Sequence, residues 1–485
     1  MRELQLGFIS NKTTVRLLKI LNYIEHRNRF TIGELAENIV VSERTIASDI
    51  KYLKDHFEDS AEFVSGSKGI IFREIHLSEY KERKKQLFSN ECLFEIIQQI
   101  FYGKLDRIEE LAHRYNYSET SFRRLLVQST PVLKSYGLRW QTNPLTIGGR
   151  EGNLRKFFKD FFYEGVETPF TIIPDNKLHD FFIQKFMNEM GRYSVGSGTT
   201  PEAFYYTLYI AINRVSLDKT VSIPKELQKK VFNEHDFLVF SSITEVVEEL
   251  YKVKLPKEEL AWIYLVTICK RTIDREDLEK TFFDHFNLWP EIPGITKRFL
   301  QKRGIPSAAH QKLAIYLNAF FLSRKINDTI APALNKELLD NIDKVVDDKQ
   351  YTFEKNEAFF QEYKMNVFLS PKYIKEVCMS FTLYSEMVIE LHSPSKTIYF
   401  LLEGNHFICQ MIRTKAIKLF GERHQLVFVP LQLLTKETLN TADINLIVTN
   451  YDRYITDFIG NQNYLLIKEI PDKQDWRNLT YKIDA

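Results

Sequence analysis

The sequence has few cysteines and no long apolar run. Its cysteines, Cys92, Cys269, Cys378 and Cys409, stand far apart with no Cys-x-x-Cys pair, which argues against a disulfide framework and a thiolate metal site. The longest apolar stretch, 261–269, is far shorter than the roughly 18–20 residues that cross a bilayer. The start of the chain lacks a basic segment followed by an apolar core. We therefore expect a cytoplasmic protein with no secretory signal, no membrane span, no metal and no cofactor.

Net charge is also nearly absent, because 66 Lys and Arg face 64 Asp and Glu. The balance is uneven along the chain, since residues 1–160 carry 26 basic and 21 acidic side chains and residues 161–285 carry 15 and 20. A length of 485 residues, 44% of them hydrophobic, can supply cores for several domains. The pattern indicates a basic module that meets a polyanion, joined to an acidic module that does not.

Residues 31–54 have the pattern of two short helices joined by a tight turn. Thr31 to Glu34 fits a capping box, and Ser42 begins the second helix. In that helix a stripe at i, i+4, i+7 and i+11 is apolar and is predicted to be core: Ile46, Ile50, Leu53 and Phe57. The opposite face and its edges carry the candidate DNA contacts Arg44, Thr45, Ser48, Lys51 and Tyr52. Arg can read guanine and Lys and Ser can reach phosphate, so this is interpreted as a recognition helix.

A β-hairpin follows this helix pair. Residues 62–72 form two apolar segments around a Ser-Gly-Ser-Lys-Gly turn, with Lys68 at its tip as a further candidate contact. The turn lacks the complete spacing of a phosphate-binding loop and the helix that follows one. Helix, turn, helix and hairpin together predict a winged helix-turn-helix module.

The same order of elements recurs about 75 residues later. Residues 108–115 predict a short helix, and Ser118 begins a second helix that Pro131 is expected to break or kink and Gly137 to end. Its inward residues are predicted to be Phe122, Leu125, Leu126 and Leu133. A second wing follows at 138–147. The candidate DNA contacts of this module are Thr120, Arg123, Arg124, Gln128 and Arg139.

These two modules resemble the paired DNA-binding modules of Mga/AtxA-type regulators of Gram-positive bacteria, and the closest resemblance is to an enterococcal Mga-like regulator. The segments that carry it are 42–46 (Ser-Glu-Arg-Thr-Ile), 117–124 (Tyr-Ser-Glu-Thr-Ser-Phe-Arg-Arg) and 136–138 (Tyr-Gly-Leu). The resemblance implies a global or virulence regulator that binds double-stranded promoter DNA as a homodimer and is not an enzyme.

The helical region from about 164 to 392 contains two similar aromatic runs, 204–214 and 313–324, and divides near 289–294. It resembles the two PRD modules of regulators controlled by the sugar phosphotransferase system, in which a His of this helix is phosphorylated. Here the usual His positions fall at Thr207 and Leu317, and a second one near Val266. Neither Thr nor Leu can carry a phosphorylated imidazole.

Other histidines remain as candidate phosphoacceptors for phosphoryl-carrier proteins of that system. His235 and His310 are the first choices, followed by His179 and His285. His179, His235 and His285 each have an acidic neighbour in sequence, and a carboxylate can orient an imidazole and raise its pKa.

After residue 393 the pattern changes to alternating strands and helices. Strands are predicted at 397–402, 426–429, 444–449 and 464–468, and helices at 405–420 and 435–441. This resembles the IIB component of phosphotransferase permeases, whose phosphorylated Cys lies in the loop after the first strand. In this chain that loop is 403–406, and Cys409 lies further along the helix. We therefore expect a contact or dimerisation module here and no phosphotransfer.

The predicted fold is multidomain and mainly α. Its predicted parts are a winged helix-turn-helix module at 1–75, a second one at 76–163, PRD-like bundles at 164–286 and 287–392, and a IIB-like α/β domain at 393–485. A transcriptional regulator of A·T-rich or bent DNA is the leading hypothesis. A PRD-type RNA-binding antiterminator and a phosphotransferase-system component remain as alternatives, although the helix-turn-helix pattern and the position of Cys409 speak against them.

Overall fold

The computed structural model describes two compact units. The first consists of Met1–Gly304 and Ala314–Ser385, and the second of Ile305–Leu313 and Glu386–Ala485. Within these units the described residues are 1–27, 29–180, 197–338, 349–392, 395–430, 434–441, 443–460 and 462–484.

The chain begins with a helical segment that encloses a small antiparallel sheet. The helices are α1 (Glu3–Leu6), α2 (Lys12–Arg27), α3 (Ile32–Ile39), α4 (Glu43–Phe57) and α5 (Leu77–Gln86). The strands are β1 (Arg29–Phe30), β2 (Ala61–Gly66) and β3 (Gly69–Glu74), in the order β1-β3-β2. Phe63 lies opposite Phe72 across the hairpin, with ring centroids 5.2 Å apart. The first winged helix-turn-helix arrangement is therefore present.

The next segment repeats that arrangement with a shorter hairpin. Its helices are α6 (Cys92–Phe101), α7 (Ile108–Arg114), α8 (Glu119–Ser135) and α9 (Glu151–Phe162), and its strands are β4 (Arg139–Thr142) and β5 (Leu145–Gly148). Gly137 follows α8 with φ +74°, and the Leu138 N–H bonds back to the Leu133 carbonyl, which ends the helix as predicted.

One hydrophobic core runs through both winged modules. Phe94, Phe101, Phe157, Phe158 and Phe161 have 0–1% of their surface exposed, and they bring α6 and α9 together. The same core includes Tyr206 and Ile210, which lie beyond the second module. Helix α9 thus belongs to the winged modules and to the helices that follow.

Within the described ranges, the part between α9 and residue 392 contains helices and no strand. The helices are α10 (Pro201–Ser216), α11 (Lys225–Phe232), α12 (His235–Ser241), α13 (Ile243–Tyr251), α14 (Lys257–Ile268), α15 (Glu276–Phe286), α16 (Ile292–Lys302), α17 (Ser307–Ile330), α18 (Gln350–Glu362), α19 (Met365–Phe368) and α20 (Ile374–His392). The two aromatic runs lie in α10 and α17. Helix α14 is buried on all sides from Glu259 to Val266, so it lies at the centre of its neighbours.

The second unit contains a parallel sheet with helices between its strands. The strands are β6 (Thr397–Leu401), β7 (Gln425–Phe428), β8 (Leu446–Thr449) and β9 (Tyr464–Leu466), in the order β7-β6-β8-β9. The helices are α21 (His406–Phe420), α22 (Lys436–Thr441), α23 (Asp452–Asp457) and α24 (Lys473–Asp484). Separate apolar clusters lie on the two faces of the sheet, one with Ile398 and Trp476 and the other with Leu401 and Ile459. Parallel strands require such crossover helices, so the predicted α/β pattern is confirmed.

Two details differ from the sequence prediction. Pro131 does not break α8, which continues to Ser135. Proline removes the N–H that the Val127 carbonyl would accept, but Val127 is 69% exposed and water can reach it. The C-terminal helix α24 was not predicted, although Trp476, Leu479 and Ile483 recur at helical spacing and are buried.

Candidate nucleic-acid interface

Helix α4 is fixed at its start and along its inner face. The Ser42 hydroxyl accepts a hydrogen bond from the Thr45 N–H at 3.2 Å, and the capping box of α3 between Thr31 and Glu34 is formed. The stripe that we predicted to be core is buried, and consists of Ile46, Ile50, Leu53 and Phe57. Because one face is held inward, the orientation of the other face is fixed.

The outer face of α4 is polar and open to solvent. Arg44, Ser48, Lys51 and Tyr52 are exposed, and neither Arg44 nor Lys51 has an ion-pair partner among the described residues. Thr45 differs from them, because its hydroxyl lies 2.8 Å from that of Ser42 and belongs to the helix cap. The exposed groups begin at the helix N-terminus, where they can approach phosphates and base edges.

An ion pair that the sequence analysis missed holds α4 in place. The Arg16 guanidinium on α2 donates to both carboxylate oxygens of Asp49, at 2.5 and 3.0 Å, and these hydrogen bonds raise the pKa of Arg16. The Asp49 side chain is 8% exposed. Its position, three residues after Ile46 and four before Leu53, places it on the inward face, which was the available signal for a buried acid.

The first wing carries Lys68, which is exposed in the turn between β2 and β3. The next residue, Gly69, has φ +111°, and a Cβ there would lie 2.5 Å from the Phe30 carbonyl oxygen. Only glycine permits this close approach of the hairpin to β1. The wing tip is therefore held against β1.

In the second module, α8 has the same construction. The Ser118 hydroxyl accepts from the Ser121 N–H at 3.2 Å. The predicted inward residues are buried, namely Phe122, Leu125, Leu126 and Leu133, and the predicted contacts Thr120, Arg123, Arg124 and Gln128 are exposed. Arg123 is engaged by Glu119, with Nη2 and Oε1 2.6 Å apart. Arg124 has no such partner among the described residues.

The second wing is tied to its helix. The Trp140 indole N–H donates to the Ser129 hydroxyl at 3.0 Å, next to the exposed Arg139. At the end of α8 the Tyr136 hydroxyl donates to Asp160 on α9 at 2.8 Å. Both bonds connect residues at least eleven positions apart, which is why helical spacing did not reveal them.

The four candidate phosphoacceptor histidines have different surroundings. The His179 Nδ1 lies 2.8 Å from the Tyr205 hydroxyl, and the His310 Nε2 lies 2.7 Å from the Ile305 carbonyl. The His285 Nδ1 lies 2.5 Å from a carboxylate oxygen of buried Glu234. For His179 and His285, the hydrogen-bond partner is not the neighbouring acid in sequence that we expected, since adjacent side chains of a helix point in different directions.

The exposed His235 and His285 line the same open cavity. Its other lining residues are Glu226, Lys229, Lys230, Asn233, Glu234 and Asp284. The structure thus brings together two of the four candidates and leaves His179 and His310 elsewhere.

The positions at which PRD modules carry histidine are enclosed. Leu317 has no exposed surface and Val266 is 8% exposed. Thr207 is buried, and its hydroxyl donates to the Ala203 carbonyl and accepts from Lys159 Nζ, both at 2.8 Å. Thr207 and Val266 line a second cavity together with several lysines.

Cys409 lies within α21 rather than at the preceding turn, and burial, with Glu403, raises the pKa of its thiol, which disfavours a nucleophilic thiolate. Among the residues that the structure describes, no group of three His, Cys, Asp or Glu side chains is arranged to hold a metal ion. In the same residues no helix is both long and apolar enough to cross a bilayer.

Comparison with known proteins gives matches in both winged modules. The Mga helix-turn-helix domain matches residues 78–162, and a general helix-turn-helix (HTH) domain matches residues 16–65. The "Putative trans-acting regulator" of Streptococcus pneumoniae serotype 4 is 28% identical over 165 residues, which is 33% of each chain. The anthrax toxin expression trans-acting positive regulator of Bacillus anthracis is 22% identical over 264 residues, or 53% of this chain and 54% of its own. The capsule synthesis positive regulator AcpB of Bacillus anthracis is 22% identical over 98% of this chain and 99% of its own.

Two winged modules with these matches place residues 16–162 in the helix-turn-helix class. More specifically, the second module is similar to the Mga helix-turn-helix domain, and the chain is similar to the positive regulators of Bacillus anthracis named above. The chain spans about a third and about a half of the first two of these relatives. The resemblance to an enterococcal member stays a prediction.

Proposed function

We propose that this chain is a cytoplasmic transcriptional regulator that binds double-stranded promoter DNA through α4 and α8. One observation carries the proposal: both helices begin at a serine cap, bury one apolar face and expose a polar face that starts at the N-terminus. The helix N-terminus favours phosphate, and the side chains beyond it can reach base edges in a major groove. Lys68 and Arg139 on the wings then contact the DNA backbone.

The number of candidate cations implies modest electrostatic binding. They are Arg44, Lys51, Lys68, Arg123, Arg124 and Arg139. Each neutralised phosphate contributes about −0.9 to the slope of log K against log salt. With so few contacts per chain, selectivity would depend on the deformability of the DNA, which favours flexible A·T-rich or bent sites, and on dimerisation.

The test is a double substitution in α4. Arg44→Ala with Lys51→Ala should weaken promoter binding by about tenfold or more and reduce the magnitude of the salt slope by about 2. Fluorescence anisotropy at several salt concentrations measures both quantities. Lys104→Ala, at an exposed lysine in the loop between α6 and α7, is the matched control and should bind as the unmodified protein does. Unchanged affinity of the double variant at moderate salt would remove α4 from the interface.

RNA binding is the alternative nucleic-acid function. A pull-down that offers duplex DNA and hairpin RNA at equal concentration separates the two. We expect retention on the duplex, because a helix fits the DNA major groove and not the narrow major groove of A-form RNA. Preferential retention on the hairpin would favour an antiterminator.

The second unit is the proposed homodimer contact. On α21, Phe407 is 80% exposed and Met411 50% exposed, one turn apart on one side of the helix. Such neighbouring apolar residues on a surface favour association with another protein surface. Dimerisation there would bring the winged modules of two chains to one promoter.

The proposal also includes phosphorylation of this chain by the sugar phosphotransferase system. His235 and His285 are exposed and share a cavity, so a phosphoryl-carrier protein can reach them more readily than the enclosed Thr207 and Leu317 positions. Incubation with phosphorylated carrier protein, followed by mass spectrometry, should label His235, which is both a first-choice candidate and exposed in this cavity. Absence of phosphate on all four candidate histidines would end this part of the proposal without affecting DNA binding.

A further inference from the structure

A second cavity of the first unit lies beside α9, away from both recognition helices. Its volume is about 90 Å³. That is room for several waters, so a ligand enclosed there is small. Its lining comes from the helical segments α9, α10, α14 and α17 and the residues that follow them: Arg155, Lys156, Lys159, Asp160, Glu164, Ala203, Thr207, Ile210, Trp262, Val266, Lys270, Asn327 and Leu334.

The cations of this lining differ in how they are neutralised. The Arg155 guanidinium donates to Glu259 at 2.6 Å, and Lys156 Nζ lies 2.6 Å from Asp160. Lys159 Nζ bonds to the Thr207 hydroxyl, which orients it but carries no charge. The Lys270 ammonium makes no hydrogen bond or ion pair with another side chain among the described residues, although the Glu337 carboxylate attracts it and raises its pKa. Two ammonium groups therefore lack a paired carboxylate.

The charges around Lys159 and Lys270 favour the binding of an anion. Burial lowers the pKa of Lys159 to about 7, and repulsion from Lys270 and Lys156 adds to the effect, while Asp160 and Glu164 oppose it. Burial also lowers the pKa of Lys270, while Glu337 opposes the shift, and because Lys270 is an exposed residue its ammonium can also reach water. Charged groups in such surroundings are costly unless an opposite charge joins them. An anion between the two ammonium groups would supply that charge.

We propose that the cavity binds a phosphate-class oxyanion held by the Nζ groups of Lys159 and Lys270. The small volume suits a tetrahedral anion. Free inorganic phosphate and the phosphoryl group of a small metabolite share this chemistry. This proposal does not depend on the DNA-binding function, because no residue assigned to DNA contact lines the cavity.

Amine reactivity in the unmodified full-length protein tests the site directly. At pH 7.5, Lys159 is largely a free amine and should react readily with acetic anhydride, as read by peptide mass spectrometry. An anion at 4–6 Å raises a lysine pKa by about one to three units, so millimolar inorganic phosphate should slow acetylation of Lys159 by about threefold or more. Sodium chloride at the same ionic strength should not, and the exposed Lys280 should react equally in both. Equal rates for Lys159 in phosphate and chloride would overturn the proposal.

A variant and a second probe sharpen the test. Lys270→Gln should lose inorganic phosphate binding by about tenfold in isothermal titration calorimetry, because one of two charge-assisted hydrogen bonds is removed, whereas Lys280→Gln should keep it. Unchanged phosphate affinity of a folded Lys270→Gln protein would contradict the assignment. If that variant does not fold, the protection experiment decides. Protection by glycerol 3-phosphate as well as phosphate points to a metabolite phosphoryl group, protection by phosphate alone points to the free anion, and protection by neither refutes the site.

Discussion

Side chains of the same type have different roles in this chain because of what they touch. Arg123 and Arg124 are adjacent and both exposed, but only Arg123 is held by a neighbouring carboxylate, that of Glu119. The sequence identified both as candidate contacts and could not rank them. An exposed pair of this kind stabilises a protein by little, so its partner can be exchanged for a phosphate at low cost.

Neutralising that carboxylate is expected to strengthen DNA binding. Glu119→Gln releases Arg123 and removes a negative charge from the first turn of α8, so promoter affinity should rise by about threefold at low salt. Fluorescence anisotropy measures the change. Glu109→Gln, at an exposed glutamate of α7, is the matched control and should change affinity less. Weaker binding by Glu119→Gln would mean that Glu119 positions Arg123 for DNA.

Lys159 should make stability depend on pH. Its pKa falls from 10.5 in the unfolded chain to about 7 in the folded one, mainly through burial. The unfolded chain therefore binds more protons between these values, so stability rises with pH across this window and the penalty is complete below pH 7. Lys159→Met removes the penalty. In phosphate-free buffer, the Tm of this variant should exceed that of the unmodified protein most at pH 6 and least at pH 10.

The control for this experiment is Lys280→Met, at an exposed lysine outside the cavity. Its Tm difference from the unmodified protein should be the same at both pH values. A difference for Lys159→Met that does not vary with pH would show that Lys159 is protonated in the folded state throughout.

At the scale of helices and strands, the features that the sequence predicted depend on residues close together in the chain. The caps at Thr31, Ser42 and Ser118, the apolar stripes and the α/β pattern depend on residues within a few turns, and the sequence contains them directly. Asp49 was on a predictable face, but its partner Arg16 lies 33 positions earlier. The lysine cavity joins α9 to residues up to 179 positions away, such as Leu334. Periodicity carries no information on such pairs, because tertiary packing decides them.

The first wing depends on one glycine. Gly69→Ala places a Cβ 2.5 Å from the Phe30 carbonyl oxygen at a φ of +111°, so we expect a loss of stability of about 1–3 kcal/mol and a displaced Lys68. The Tm and the DNA affinity should both decrease. Gly294→Ala is the control, because nothing lies within 4 Å of its added Cβ and alanine favours the helix. Equal Tm values for the two variants would contradict the role of Gly69.

At the scale of the whole molecule, not every cation of residues 1–160 is available to DNA. Of the 26 cations in residues 1–160, Arg155 and Lys156 of α9 are neutralised inside the protein by Glu259 and Asp160, and Lys159 lines the cavity. These cations do not face DNA. A cut after residue 160 would also divide α9, which extends to Phe162, and would expose the core that Phe157 and Phe158 share with α6. The cations assigned to DNA contact therefore lie on the two helices and their wings.

Dimerisation through the second unit is testable without touching the DNA-binding helices. Phe407→Ser with Met411→Ser should shift the protein toward a monomer in analytical ultracentrifugation and should weaken binding to a two-site promoter more than to a single site. Ile470→Ser, at an isolated residue that is 62% exposed, is the control and should leave the mass distribution unchanged. A dimer that persists in the double variant would place the contact elsewhere.

Helix α9 also limits how relatives can exchange their parts. One side of it packs Phe158 against Phe101 of the second winged module, and another side places Arg155 against Glu259 of α14. A recombinant chain could take residues before 150, with the winged modules, from one relative and the following helices from another. The contacts of α9 would then join residues from two different proteins. Recombinant chains that fold should therefore take α9 and its contacts on both sides from the same relative. The winged modules and the helices that follow α9 would then be exchanged only together.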